Sequence, residues 1–551
     1  MKNNICFNNI YIPRAVVLPS VIVLETTNEF SKFYEFCRFI EKYPNRNFPG
    51  IDTTMDFSLI HQNCFKMFLP EVFLATSILI LTLYAVFIAT SKKLGYPLII
   101  KNLNRLCVLV LFMTFLLIHN ISVSFLLFYQ NTFIFDLLSS NVKQILVIAT
   151  LFSLVISEDT VIKQKINNFE YFILTLCAVL GLMFLVASYD MISLYLAIEM
   201  QSLCLYVLAA SKKDSSFSAE AGLKYFILGS FSSALLLFGI SVLYGMTGTT
   251  NFDNLHLLLS GLGYDTSFLI TSIEKALLAI SAAFFFKVAA APFHMWSPDV
   301  YEGSPISSTI FFAIVPKIAL FAVFVRTFQT IFSSFEEFFI VLLIFFSICS
   351  VIVGSFTALR QKRLKRLLAY SSVGHVGYLL LAFSSNSLEG VQALFFYLII
   401  YMLTGLCIWS VVLSINTKTN LEKSKTLLDL GSVSYSNALL SFTALIAFFS
   451  LAGIPPLAGF FAKLEIFVSA LESSLYFASL VAILSSVVSS FFYIRLVKTM
   501  YFEKKEEDTS GIPVNHSCSL VMAFCSFFLV YFFVDPNFLL LLAQKMALCL
   551  F

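Results

Sequence analysis

From Phe68 onward, apolar runs of about 20 residues alternate with short polar joints. A helix of that length rises roughly 30 Å, the thickness of a bilayer's hydrocarbon core. The pattern predicts membrane-spanning helices over residues 69–90, 105–129, 143–157, 170–188, 191–210, 220–246, 272–296, 307–328, 337–358, 367–384, 388–414, 437–470, 472–500 and 518–543. The expected fold is therefore an all-α polytopic membrane protein with about 14 transmembrane helices. Joints after odd-numbered helices carry most of the loop lysines and arginines, including Lys92, Lys93, Lys212, the cluster Arg360, Lys362, Arg363, Lys365, Arg366, and Lys504. Joints after even-numbered helices hold little beyond Lys143, Lys275 and Arg326, at helix edges. The positive-inside rule then places the odd joints on one face and both termini on the other, and it independently supports the count of fourteen.

Two of these helices carry breaks. Residues 437–471 would span roughly 50 Å as a straight helix, too long for one crossing. GIPPLAG lies in the middle, and Pro455 and Pro456 remove two backbone donors and clash with the preceding turn. The seventh helix holds Pro292 and Pro298 in a similar role. Unwound backbone at membrane depth survives only where it is buried in protein or lines a wet cavity. The broken helices are five crossings apart, an odd number, so helices 4–8 (residues 161–330) and 9–13 (331–502) are expected to be inverted repeats. Helices 1–3 fill 68–160, a loop and helix 14 fill 503–551, and residues 1–67 form a polar amino-terminal extension.

Charges inside the predicted spans are the candidate chemistry. Glu199 lies near the middle of helix 5, Lys287 in helix 7, Lys317 in helix 8, and Lys463 just past the break of helix 12. A charge at bilayer mid-depth costs about 2.5–3.5 kcal/mol on insertion scales, so such residues have a function as their default reading. Lysine suits proton transfer because its affinity for the proton responds to burial and to neighbouring charge, whereas arginine stays protonated. Lys224, near the start of helix 6, and His375, within helix 10, are secondary candidates; a lysine at a helix end commonly snorkels. His294 beside Trp296 reads as an interfacial pair.

Composition narrows the classes. The chain is 59% hydrophobic and 12% charged, against about 25% charged in soluble domains. No basic run with interleaved aromatics points to nucleic acid. The 11 cysteines are scattered without CxxC or zinc-finger spacing and read as small packing residues, so no metal site is expected. Phenylalanine, at 63 against 2 tryptophans, suggests an AT-rich coding genome and hence an organelle or a reduced bacterium.

The segments YLAIEMQSLCLYVLAAS, EAGLKYFILGSF, FKVAAAPFHMWSPDVYEGSP, SSTIFFAIVPKIALFAVFVR, KRLLAYSSVGHVGYLLLAF and SLAGIPPLAGFFAK resemble the subunit 2 (bacterial subunit N) family of respiratory complex I. The resemblance covers about residues 68–545, and WSPDVYEGSP separates it from the sister subunits 4 and 5 and from cation antiporters. It implies an antiporter-like fold and a proton relay on Glu199, Lys287, Lys317 and Lys463, with Lys224 matching a further family lysine. It implies a role as a subunit of an H+-translocating NADH:ubiquinone reductase, with FMN, iron–sulfur clusters and ubiquinone in other subunits and no cofactor in this chain. Implied partners are the subunit 4 and 4L homologues, accessory subunits and lipid. The implied location is the mitochondrial inner membrane, or a bacterial inner membrane as the alternative. Rival readings are a subunit of a multisubunit cation/proton antiporter and a scaffold-only subunit; retention of all four mid-membrane charges argues against the second.

Overall fold

The structure is a computed structural model, described here for residues 53–89, 96–121, 125–163, 169–212, 214–261, 267–415, 426–431, 433–503 and 514–551. The extension up to residue 52 and the lysine-bearing joints at 90–95, 164–168, 416–425 and 504–513 lie outside the described residues. Helices α1 (Thr53–Ala89) and α2 (Tyr96–Asn120) lead into a hairpin of β1 (Leu126–Phe128) and β2 (Phe133–Phe135), then α3 (Leu137–Lys163). Next come α4 (Glu170–Ala187), α5 (Met191–Ala209), α6 (Ser216–Thr247), the short α7 (Phe252–Ser260), α8 (Ser267–Val288), α9 (Trp296–Gly303) and α10 (Ile306–Thr330). The remainder comprises α11 (Glu336–Leu359), α12 (Leu364–Ser384), α13 (Leu388–Ser414), α14 (Val433–Ser436), α15 (Ala438–Ala452), α16 (Ala458–Glu472), α17 (Tyr476–Phe502), α18 (His516–Tyr531) and α19 (Asn537–Ala547).

Among the described residues, eleven helices are long and apolar enough to cross a membrane. Three further crossings are in pieces: α8 with α9, α15 with α16, and α18 with α19. Together they account for the fourteen expected crossings. The seventh and twelfth are broken, as the prolines require.

Three spans differ from expectation. The second ends at Asn120, and the apolar residues that follow form the hairpin, pairing Leu126 with Phe135 through Phe128 with Phe133. Tyr129, Gln130 and Asn131 turn it with φ of 48°, 58° and 65°. Short apolar runs do not distinguish helix from strand. The third is 27 residues rather than a short stub. Its first turns look polar in the sequence, but Ser139, Ser140 and Lys143 are all buried against protein. The fourteenth is interrupted after Tyr531, where Pro536 has no backbone donor and Asp535 accepts from the amide of Asn537 at 3.1 Å.

The bundle is organised around α10. Every residue from Ser307 to Phe328 is buried, packed by α3, α4 and α13. Helices α12 and α13 are almost as enclosed, whereas α1, α2, α6 and α17 each turn large apolar side chains outward, as lipid-facing helices do. The most enclosed helices thus bring Lys317, His375, Tyr378, Tyr397 and Tyr401 into the most buried part of the fold.

Candidate functional site

The two breaks set the ends of the site. Helix α8 stops at Val288, and Ala289 takes φ 65°. The carbonyl of Phe286 accepts from the amide of Ala289 and from the indole N–H of Trp296, each at 3.0 Å. Trp296 itself stacks on Tyr225 with ring centroids 4.8 Å apart. Pro298 lies in the first turn of α9, where a missing N–H is tolerated; the break is made around Pro292 alone. In the second break α15 stops at Ala452, Gly453 takes φ 82°, and α16 resumes at Ala458 beyond Pro455 and Pro456. Here Lys463 Nζ donates to the carbonyls of Leu451 at 2.8 Å and Ala452 at 3.0 Å. The last carbonyls of a helix lack intrahelical donors and carry its negative dipole end, so an ammonium is well placed there.

Between the breaks the charged residues form a row in which each lysine has a tyrosine. Lys287, in the last turn of α8, reaches the Tyr206 hydroxyl at 3.4 Å and lies 5.9 Å from that ring's centroid. Glu199 is two turns earlier than Tyr206 on α5 and accepts from the Ser202 hydroxyl at 3.4 Å; its other carboxylate oxygen is buried with no partner among the described residues. Glu199 makes no ion pair within 4 Å among the described residues. Lys287 and Lys317 border one cavity, together with Gln201, Ser202 and Tyr301. The cavity has room for roughly one water.

Lys317 is 4% exposed and donates to the Tyr401 hydroxyl at 3.3 Å, with its ammonium 5.2 Å from the ring. The Tyr401 ring is 5.5 Å from that of His375. Buried His375 bonds Tyr397 through Nδ1 at 2.6 Å and Tyr493 through Nε2 at 3.0 Å. Tyr378, one turn along α12 from His375, places its ring 5.4 Å from the Lys463 ammonium. His375 therefore bridges the lysines of α10 and α16. Cation–π contacts of this kind contribute up to about 2 kcal/mol when desolvated, without neutralising the charge as a carboxylate would.

The structure brings Glu199, Lys287, Lys317, His375 and Lys463 together and leaves Lys224 apart. Lys224 is 42% exposed and pairs with Glu220 at 2.8 Å and Asp299 at 3.0 Å. Asp299 also accepts from Arg366 at 2.6 Å, and Glu302 is paired with both Arg363 and Arg366. The cluster that was legible as a loop-charge signal thus also ties the start of α12 to α9. His294 is buried in the first break.

Sequence reasoning missed the tyrosines. Their signal is spacing: Tyr397 and Tyr401 share a face of α13 at i, i+4, and Tyr378 follows His375 at i+3. It also missed two buried ion pairs, Glu71 with Lys143 and Asp136 with Arg326, the latter at 2.7 Å. Arg326 further donates to the Val186 carbonyl at 2.7 Å, pinning α10 to α3 and α4.

Residues 188–489 match the family model described as NADH:quinone oxidoreductase/Mrp antiporter, transmembrane. NADH-ubiquinone oxidoreductase chain 2 of Marchantia polymorpha is 42% identical over 492 residues, covering 88% of this chain and 99% of its own length. The chain belongs to the chain 2/subunit N family. NADH-quinone oxidoreductase subunit N of Pelagibacter ubique, another member, is 39% identical over 479 residues, 87% of this chain and 98% of its own. Among solved structures, a chain of respiratory complex I from Thermus thermophilus superposes with a TM-score of 0.71 at 28% identity, covering 86% of this chain and 99% of that one. A chain of the Mrp complex from Dietzia sp. gives a TM-score of 0.73 at 18% identity over 88% of this chain and 97% of its own, a likeness of fold. Chain 2/subunit N relatives therefore match this chain along nearly their whole length, and both breaks and all four predicted relay residues fall within the family match.

Proposed function

We propose that this chain is the proton-translocating, antiporter-like membrane subunit of a respiratory complex I, and that Glu199, Lys287, Lys317 and Lys463 carry the relay with His375 between the last two. The observation that supports it best is the row itself. Three lysines lie along one line of contacts, each against a tyrosine, and none is locked to a carboxylate within the described residues. A lysine neutralised by a close carboxylate keeps its proton; one held by a phenol and a small cavity exchanges it when a neighbour's charge changes. Protonation at Glu199 biases Lys287, which biases Lys317 across the shared cavity. Tyr401, His375 and Tyr378 pass the change on to Lys463.

Moving one charge against the membrane potential requires about 2.3 kcal/mol per 100 mV. This chain holds the row; the driving energy comes from NADH:ubiquinone electron transfer through FMN and iron–sulfur clusters in other subunits. The subunit 4 and 4L homologues are its neighbours in the membrane arm, and the location is the mitochondrial inner membrane, multi-pass. The two broken helices belong to inverted repeats, α4–α10 and α11–α17. The test is Lys287→Met and Glu199→Gln in the assembled enzyme. Loss of proton translocation with normal assembly is expected, and normal NADH oxidation with normal translocation in both variants would overturn the assignment.

A further inference from the structure

Helix α16 carries two charges, Lys463 and Glu465, and the row uses the first. Two residues correspond to about 200° around a helix, so the side chains leave on opposite sides. Lys463 turns inward to the carbonyls of α15. Glu465 is partly exposed and makes no ion pair or hydrogen bond among the described residues. It sits at the edge of the exposed face of α16 that Leu464, Val468 and Leu471 form. On the next helix, α17, Leu480, Leu484 and Val487 are exposed as well, the character of membrane-facing helices.

Depth makes the carboxylate conspicuous. Glu465 is seven residues before Glu472, the last residue of α16, and after three intervening residues α17 turns back across the membrane. Seven residues rise about 10 Å, which leaves Glu465 below the interface and inside a hydrocarbon half-thickness of about 15 Å. A glutamate side chain is too short to reach the headgroups from there, and intramembrane carboxylates face protein or water rather than lipid. Charge decides what covers it. Two copies joined through this face would bring two carboxylates together, and a purely apolar helix would leave the acid unpaired.

We propose that the Glu465 face of α16 is covered by a transmembrane helix of a neighbouring subunit that presents a lysine or arginine to this carboxylate. The inference rests on the reading of the chain as part of a multisubunit membrane complex, and it does not depend on the relay. Leu464, Val468 and Leu471 supply the apolar contact around the pair, as in interfaces where one buried polar contact sets register among apolar neighbours.

The test uses the intact complex and the same chain released from it by detergent, each treated with dicyclohexylcarbodiimide, which modifies carboxyl groups from the apolar phase. Labelling at Glu465, read by mass spectrometry of its peptide, is expected to be at least about fivefold lower in the intact complex. Equal labelling overturns the proposal. In the assembled enzyme Glu465→Lys is expected to lower the yield of intact complex by about fivefold or more, since it sets like charges face to face. Glu465→Gln, which keeps the shape and a hydrogen bond, retains most of the yield and normal translocation per electron. A Glu465→Lys complex that assembles as the parent does also overturns it. A failed relay looks different: Lys287→Met then leaves translocation intact, whatever happens at Glu465.

Discussion

In the first broken crossing the freed carbonyl of Phe286 is bonded by the neutral indole of Trp296, whereas in the second the freed carbonyls of Leu451 and Ala452 are bonded by the ammonium of Lys463. Both breaks leave a helix end inside the membrane, where unsatisfied carbonyls are costly. The first half satisfies them with a group that has no other role in the row. The second assigns the task to Lys463, a lysine of the proposed relay. Lys287 therefore has one weak bond, to the Tyr206 hydroxyl at 3.4 Å, while Lys463 is part of the scaffold that holds its own helix pair together.

The other partners follow the same division. Beside the first break lies a carboxylate, Glu199, with one buried oxygen unpartnered among the described residues. At the matching place on α12 lies His375, with both ring nitrogens bonded to tyrosines. The first half keeps a charge that is loosely held, and the second keeps a network that is fully bonded. In the proposed relay, electrostatic change would be easier to start in the first and easier to transmit through the second.

The largest effect that tests this difference comes from Lys463→Met set beside Lys287→Met. Each is expected to lower proton translocation at least about tenfold, the smaller end of what a lost proton-transfer group costs. Only Lys463→Met should also lower the melting temperature of the solubilised complex, because it orphans two carbonyls at roughly 1–3 kcal/mol each. Equal melting temperatures for the two variants would abolish the distinction between the halves.

Gly453→Ala comes next. Its backbone has φ 82°, and an added Cβ would lie 3.0 Å from Lys463 Cδ. Left-handed backbone alone costs a non-glycine residue about 1–2 kcal/mol. The crowding should also move the ammonium off the Leu451 and Ala452 carbonyls, so translocation falls together with thermal stability. A variant with lowered stability and unchanged translocation would show that the lysine's bonds serve the fold only.

Trp296→Phe has a smaller expected effect. It keeps a ring against Tyr225 and removes the N–H that bonds Phe286, a loss of about 1 kcal/mol. Thermal stability should drop slightly while translocation stays within about twofold, since the indole borders the Lys287–Lys317 cavity but bonds the Phe286 carbonyl rather than either lysine. A tenfold loss of translocation would place Trp296 among the relay's own groups.

How much of this was legible beforehand follows from the kind of signal each feature leaves. The second break was readable because tandem prolines are incompatible with a continuous helix, and the first because Pro292 follows an apolar run and removes a backbone donor. The lysines were readable because a charge in an apolar run is unusual by itself. Asp136 and Arg326 are 190 residues apart; Arg326 looks like a helix-edge charge and Asp136 falls in the joint between two expected spans until the fold brings them together. Lys143 was read as an edge for the same reason, its partner Glu71 being 72 residues away. The tyrosines were hidden by chemistry: a phenol is unremarkable in a chain with 23 of them, and only proximity to an ammonium singles out three.

The smallest effect separates backbone from side chain as the reason the halves differ. Ala289 and Gly453 hold the same place after their helices, with φ of 65° and 82°. Ala289→Gly relieves about 1–2 kcal/mol of left-handed strain, and it gives back about 0.5–1 kcal/mol in chain entropy and part of a buried methyl's contribution, about 0.8 kcal/mol. The net change should lie within roughly 0.5 kcal/mol of zero, visible as a melting temperature nearly that of the parent. If strain alone set the tolerance of these positions, Gly453→Ala would cost only what Ala289 already bears. A larger loss at Gly453, with Ala289→Gly neutral, assigns the excess to the Lys463 side chain packed against it. Equal and opposite shifts would mean that the two breaks are interchangeable and that Lys463 adds nothing to its own.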